Sequence, residues 1–363
     1  MAAIPTTMKA VLLKGYGGFD RLEYREDVPV PAPRAGEVLI RVGAAGINNT
    51  DINTRTGWYS KGVSEGTTAE AGKSGHAAAN AGDAGWTGGE RTFPLIQGAD
   101  VCGWIVDVGP GVVASRIGQR VLVEPVLREA SGWRPYEAVY LGSECDGGFA
   151  EFVKVPAVHA YPIESDLSDA ELATFPCAYS AAENMITRSA VAEGEAVLIT
   201  GASGGVGSAA VQLARRRGAK VMAATSAAKA DQVKLLGADR IIRRDGNLVD
   251  QIAAETIDVV IDVVGGPQWP QLLEALKRGG RYAVSGAIAG PIVELDLRTL
   301  YLKDLRLLGC TILEPQVFAN LTGYIERGEI RPVLAKAFPL KEIVRAQQEF
   351  LAKGFVGKLV LLP

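Results

Sequence analysis

The chain has 363 residues, 48% of them hydrophobic and 22% charged, and a formal net charge of −3 at pH 7. At roughly 100–200 residues per domain, two domains are expected rather than one core. The composition excludes a disordered or fibrous chain, and the slight acidic excess argues against a general binder of nucleic acid or anionic membranes. Four scattered cysteines, Cys102, Cys145, Cys177 and Cys310, form no Cys-x-x-Cys pair and fit a reducing compartment. No signal peptide is read at Met1–Met8, and no apolar run approaches the ~20 residues of a membrane span. A cytoplasmic protein without membrane contact is expected.

In chain order, the first part reads as β-rich. Short apolar or β-branched runs at Lys9–Leu13, Glu37–Val42, Val101–Val108, Val121–Val123 and Phe149–Val155 are punctuated by Gly and Pro. One segment breaks the pattern: Ser60–Glu90 is rich in Gly, Ala, Ser and Thr. A loop this long is usually functional or disordered. Two readings stand side by side, a lid over a substrate pocket and a disordered surface insert.

From about Glu193 strands alternate with helices. Ala196–Thr200, Lys220–Ala224, Arg240–Ile242, Val259–Val264, Arg281–Ser285 and Arg306–Leu308 read as strands, with helices at Ser208–Arg217 and Ala228–Leu236. This alternation predicts a doubly wound parallel sheet with helices on both faces. After Thr311, helices near Phe318–Arg327 and Lys341–Lys353 lead to a last strand, Lys358–Leu362, that returns to the first domain.

The strand Ala196–Thr200 runs into Gly201-Ala202-Ser203-Gly204-Gly205-Val206-Gly207, which opens a helix. Small residues let the backbone approach a pyrophosphate, and a helix N-terminus offers free N–H groups and a favourable dipole. Ala202 stands where Gly-x-Gly-x-x-Gly usually has its first Gly; Gly204 and Gly207 supply the others. In this strand–turn–helix context the turn reads as a dinucleotide site of Rossmann type. An NAD site usually places Asp or Glu about 20 residues on, to bind the ribose 2′-hydroxyl. Here the second strand ends Ala224-Thr225-Ser226 and is followed by Lys229, with no carboxylate until Asp231. Thr225, Ser226 and Lys229 suit a 2′-phosphate, with Arg243 and Arg244 adding positive charge after the third strand. NADPH/NADP+ is the expected cofactor.

The chain resembles the medium-chain dehydrogenase/reductase superfamily, in its zinc-independent quinone oxidoreductase-like branch. The resemblance rests on Ala45–Asp51, Pro94–Gly103, Asp146–Val153, the phosphate turn, Asp258–Gly266 and Gly357–Leu361, in that order. It implies an α/β protein with a GroES-like β-rich catalytic domain, split into residues 1–164 and 311–363, around a Rossmann domain, 165–310. It also implies that Val264 and Lys358 join Ala202, Ser203, Gly204, Gly205, Val206 and Gly207 at the cofactor.

Zinc alcohol dehydrogenases share the superfamily, so each ligand position is compared in turn. The first zinc ligand is a Cys where this chain has Asn48. The second is a His where it has Ala99, and the third corresponds to Cys177. Asn is a poor zinc ligand and Ala none, while a catalytic zinc needs three protein ligands. The cysteine-rich structural-zinc lobe is replaced by Pro125–Glu144, which has no cysteine. The only histidines, His76 and His159, lack ligand spacing. Neither zinc is expected.

Without a Lewis acid, hydride addition to a conjugated enone, enal or quinone is easier than simple alcohol oxidation, because charge spreads to a conjugated oxygen. The family pattern falls on Asn48, Asp51, Arg55 and Tyr59. Asn48 is expected to donate to the substrate oxygen or position the nicotinamide ribose, and Tyr59 to bind or stack on the substrate. Asp51 and Arg55 are expected to brace the loop as a pair. The alternatives are an NADP(H)-dependent alcohol or aldehyde dehydrogenase for a non-conjugated carbonyl, and a non-catalytic NADPH-binding protein. Pairing of two copies at the Arg306–Leu308 sheet edge would give a homodimer.

Overall fold

The computed structural model describes residues 3–363. A GroES-like β domain and a parallel-sheet Rossmann-like domain together form the α/β chain. The main sheet of the β domain runs in the order Ala160–Pro162, Arg120–Val123, Cys102–Val108, Glu37–Gly46, Lys358–Leu362, Leu334–Pro339, with Phe152–Pro156 also on Glu37–Gly46. The strand Lys358–Leu362 therefore pairs with residues more than 300 positions earlier: Val360 sits opposite Gly46 and Leu361 opposite Ala45. That pairing brings Lys358 beside the loop after Gly46. A second sheet, Leu22–Pro29, Thr7–Leu13, Leu95–Ile96, covers the flank.

The six-stranded sheet has the order Arg240–Arg243, Lys220–Thr225, Ala196–Ile199, Ile257–Asp262, Leu276–Val284, Arg306–Gly309, and every pair is parallel. Its central strands are apolar on both faces because helices cover both: Val197, Leu198, Ile199, Val259, Val260 and Ile261 are all buried. The strand order reverses between Ala196–Ile199 and Ile257–Asp262, and open α/β sheets bind ligands in the crevice at such a switch point. The phosphate turn stands there.

Pro125–Glu144 is a short hairpin lobe, Val126–Leu127 against Val139–Tyr140. Arg128 pins it, donating to Glu124 Oε1 at 2.9 Å and to Leu313 O at 3.1 Å. His159 Nδ1 lies 3.0 Å from the other Glu124 oxygen.

Residues 60–90 are tied to the body at several points. Thr68 Oγ1 accepts from Ala71 N at 3.1 Å and so caps a short helix, Ala69–Ser74. Arg55 donates to Gly72 O and His76 N to Thr56 O. Thr67 N donates to Ile288 O at 2.9 Å, on a loop beyond the sheet strand Leu276–Val284. The disordered-insert reading is therefore replaced by a segment fastened to both halves of the chain.

Candidate active site

The phosphate turn is shaped by backbone alone. Gly201 has φ 56°, in the left-handed region, and Gly204 N donates back to Gly201 O at 2.9 Å. A Cβ on Gly207 would lie 2.2 Å from Gly201 O, so only glycine lets the helix start this close to the strand. The helix Gly205–Arg216 has no side-chain cap, which leaves its first N–H groups to an anion. Beside the turn, buried Asp262 accepts from Thr200 Oγ1 at 2.5 Å, Tyr282 OH at 2.6 Å and Val264 N at 2.8 Å. These bonds hold Val264 against Gly201: a Cβ on Gly201 would meet Val264 Cγ2 at 3.2 Å. Asp262 was not singled out from sequence; its position at the end of an apolar strand was the signal available.

At the end of the second strand, Thr225 is buried and its Oγ1 has no hydrogen-bond partner. Arg244 N donates to Thr225 O at 3.2 Å, which brings the Arg244 loop beside Thr225 and Ser226. Lys229 donates to Lys353 O at 2.5 Å, and burial followed by the charge of Arg244 holds Lys229 below its usual pKa. Lys353, which sequence reasoning missed, is pushed down to about 7 by burial and then by Lys229. Arg243 does not join them; it is exposed and paired with Asp245 at 3.2 Å. Three cations and an orphaned hydroxyl therefore converge with no carboxylate among them, and this donor set fits a 2′-phosphate.

The other side of the crevice is built around Lys358. Its ammonium donates to Asp100 Oδ2 at 2.7 Å, to Ile47 O at 2.8 Å and to Asn48 Oδ1. Asn48 Nδ2 donates to the same Asp100 oxygen at 2.7 Å, and Asp100 Oδ1 accepts from Cys177 N at 2.5 Å. Gly46 makes the approach possible, since a Cβ there would lie 2.5 Å from Asp100 Oδ2. Asn48 gives one N–H to Asp100, its nitrogen lies 3.4 Å from Gly46 O, and its oxygen accepts from Lys358. The Lys358 ammonium faces Ile47 O, Asn48 and Asp100, while its stem touches the phosphate turn, where a Cβ on Gly205 would meet Lys358 Cδ at 2.7 Å.

Asp51 and Arg55 brace the loop, but not as a pair. Asp51 Oδ2 accepts from Asn48 N at 2.7 Å, closing a capping box at the start of helix Asn49–Thr56. Burial pushes the Asp51 carboxyl up to about 7. Arg55 points the opposite way, to Gln347 Oε1 and Gly17 O at 2.9 Å each. Helix geometry puts the first-turn acid at the cap and sends the long arginine across to other segments.

Tyr59 is half-buried at the edge of this centre, and burial raises its pKa, so the hydroxyl keeps its proton. Cys177, whose N–H donates to Asp100, lies near enough to Tyr59 for its charge to act there. Its thiol lies 3.0 Å from Tyr140 OH and is pushed up to about 12 by burial and then by Asp100. Cys177 therefore keeps its proton here and is not a thiolate nucleophile. The space between Asn48 and Asp100 already holds an ammonium. Among the described residues no group of three His, Cys, Asp or Glu side chains is placed to hold a metal ion.

A family model described as the alcohol dehydrogenase GroES-like domain matches residues 34–165, and one described as zinc-binding dehydrogenase matches residues 205–327. The chain is 30% identical to an acryloyl-coenzyme A reductase of Metallosphaera sedula, over 98% of this chain and 99% of that one. It is 29% identical to a quinone oxidoreductase of Rattus norvegicus over the full length of both. A crystal structure from Sinorhizobium meliloti, provisionally named an alcohol dehydrogenase, is 46% identical with a TM-score of 0.89, covering 100% of this chain and 98% of that one. Another from the same organism, provisionally named a zinc-binding dehydrogenase and bound to NADP, is 25% identical with a TM-score of 0.81, covering 99% of this chain and all of that one.

Proposed function

This chain belongs to the medium-chain dehydrogenase/reductase superfamily, in its quinone oxidoreductase-like branch, and we propose that it is a zinc-independent, NADPH-dependent reductase of conjugated carbonyl compounds. The observation that carries the reading is the Lys358 ammonium between Asn48 and Asp100. A metal dication beside that ammonium would meet strong repulsion in a low-dielectric site. A reaction that disperses its own negative charge suits such a centre better than one needing a Lewis acid.

Ala202, Ser203, Gly204, Gly205, Val206 and Gly207 would hold the pyrophosphate, with Val264 beside them. Thr225, Ser226, Lys229, Arg244 and Lys353 would hold the 2′-phosphate. The bound nicotinamide supplies the hydride. Asn48, Asp100 and Lys358 keep the floor of the crevice rigid, and the Tyr59 hydroxyl donates to the carbonyl oxygen of the acceptor as charge builds there. The domain division at residues 164/165 and 310/311 belongs to the same reading. So does a homodimer through the Arg306–Gly309 edge, supported by exposed Leu297, Tyr301, Leu302 and Leu307. A cytoplasmic place is part of the same proposal; among the described residues no helix is long and apolar enough to cross a membrane, and all four cysteines are free.

The test is a panel of quinones, enones, enals, saturated aldehydes and alcohols, each assayed with NADP(H) and NAD(H). Turnover of quinones or enones with NADPH is the expected result, and Tyr59→Phe should lower kcat more than KM. Activity confined to alcohols and saturated aldehydes would overturn the reading in favour of the activity for which the 46%-identical structure is provisionally named.

A further inference from the structure

Arg91 directly follows the inserted segment, and its guanidinium is buried with its side chain only 3% exposed. None of its three nitrogens has a hydrogen-bond partner. The facing carboxylate, Glu144, lies 3.6 Å away. Glu144 is already engaged: one oxygen accepts from Thr87 N at 3.3 Å, the other from Tyr140 N at 3.2 Å. A buried guanidinium with five unused donors is costly unless something else meets them.

The surroundings lead from Arg91 to the centre already described. Arg91 and Glu144 both lie close enough to Tyr59 for their charges to act on its hydroxyl. Trp86, from the insert, packs on Tyr140 with ring centroids 4.7 Å apart, and Tyr140 touches Cys177. Beyond Trp86 a groove of about 700 Å3 opens, lined in part by Ser131, Arg134, Arg188 and Thr311. The groove arginines have partners: Arg134 meets Glu137 at 2.8 Å, and Arg188 donates to Gly309 O at 2.6 Å. Arg91 alone of these presents an unmet fork.

We propose that residues 60–91 form a lid over the crevice and that Arg91, beside Tyr59, binds a carboxylate carried by the hydride acceptor, so that the preferred substrate is an unsaturated carbonyl compound bearing an acid group. A planar guanidinium binds a carboxylate through two parallel hydrogen bonds, and the enclosed position suits a small planar anion. Trp86, packed on Tyr140, supplies apolar surface on the Glu144 side of Arg91. The assignment rests on the reductase reading above and narrows its substrate class.

The experiment compares acetylacrylate with its methyl ester, using NADPH and the full-length chain. Wild type should favour the acid in kcat/KM by on the order of 10–100-fold. In Arg91→Met that preference should fall to near unity, chiefly through KM for the acid, while Arg91→Lys should retain part of it. Ester turnover and NADPH binding report that the variants are folded. No acid preference in wild type, or an unchanged preference in Arg91→Met, overturns the proposal. If neither compound is reduced, the reductase reading fails instead. The lid is then tested by tryptophan fluorescence of the NADP+ complex with levulinate and methyl levulinate, where tighter binding of the acid, lost in Arg91→Met, supports it and equal binding overturns it.

Discussion

Lys358 and Arg91 are both cations withdrawn from water, and the chain treats them in opposite ways. Lys358 directs its ammonium at Ile47 O, Asn48 Oδ1 and Asp100 Oδ2. Arg91 has no hydrogen-bond acceptor and one carboxylate at 3.6 Å. Burying a charge is tolerable when partners replace water and costly when they do not. The first region is therefore complete in itself, a fixed piece of architecture. The second is incomplete, and a ligand can complete it. Burial alone does not separate the two; the count of unmet donors does.

The largest effect is expected where the pairing is fullest. Lys358→Met leaves the Asp100 carboxylate buried with only the Asn48 amide and the Cys177 N–H. Breaking one partner of a buried pair costs about 3–5 kcal/mol, and urea denaturation should show a loss of that size. Adding Asp100→Asn removes the stranded charge and should recover part of it. If Lys358→Met is as stable as wild type, Lys358 is not paired in solution and the contrast with Arg91 collapses.

A third cationic group sharpens the contrast. Lys229, Lys353 and Arg244 stand together without a carboxylate, which like Arg91 suits an anion from outside. Lys229→Glu should lower kcat/KM for NADPH by on the order of 10–100-fold, the worth of a charge-assisted hydrogen bond, and leave NADH within a few fold. Equal losses for both cofactors would mean that Lys229 holds the helix Ile343–Ala352 rather than the phosphate.

The regions also differ in how far the sequence exposed them. The phosphate turn is a run of neighbours whose strand, glycines and helix follow one another, so local pattern was enough. The missing acid after Ala224 was equally local and pointed to the Thr225–Lys229 patch. The Lys358 centre was not legible: Asn48 and Lys358 are 310 positions apart, and only the antiparallel pairing of the last strand brings them together. The partners that Asn48 has in the fold, Asp100 and Lys358, could therefore not be read from its neighbours in the chain. Likewise Arg55 looked like the partner of Asp51 because they are four apart on one helix. Its actual partners, Gln347 and the carbonyls of Gly17 and Gly72, come from distant segments. Arg91 carried no sequence signal at all, since only burial without partners marks it.

The smallest effect is a proton, and its sign distinguishes a phosphate site from a merely crowded pair of lysines. With its pKa pushed down to about 7, Lys353 is partly deprotonated in the free protein near neutral pH. A 2′-phosphate placed against it would favour the ammonium and raise that pKa. NADPH binding should then take up a fraction of a proton at about pH 7.5, and its affinity should weaken as pH rises from about 7 to about 8. NADH, which lacks the phosphate, should do neither. Calorimetry in two buffers of different ionisation enthalpy measures the uptake directly. Lys353→Met should abolish it while preserving most of the NADPH affinity, since Lys229 and Arg244 remain. Uptake that is equal for both cofactors, or that survives Lys353→Met, would remove Lys353 from the patch and leave its low pKa as a consequence of burial beside Lys229 alone.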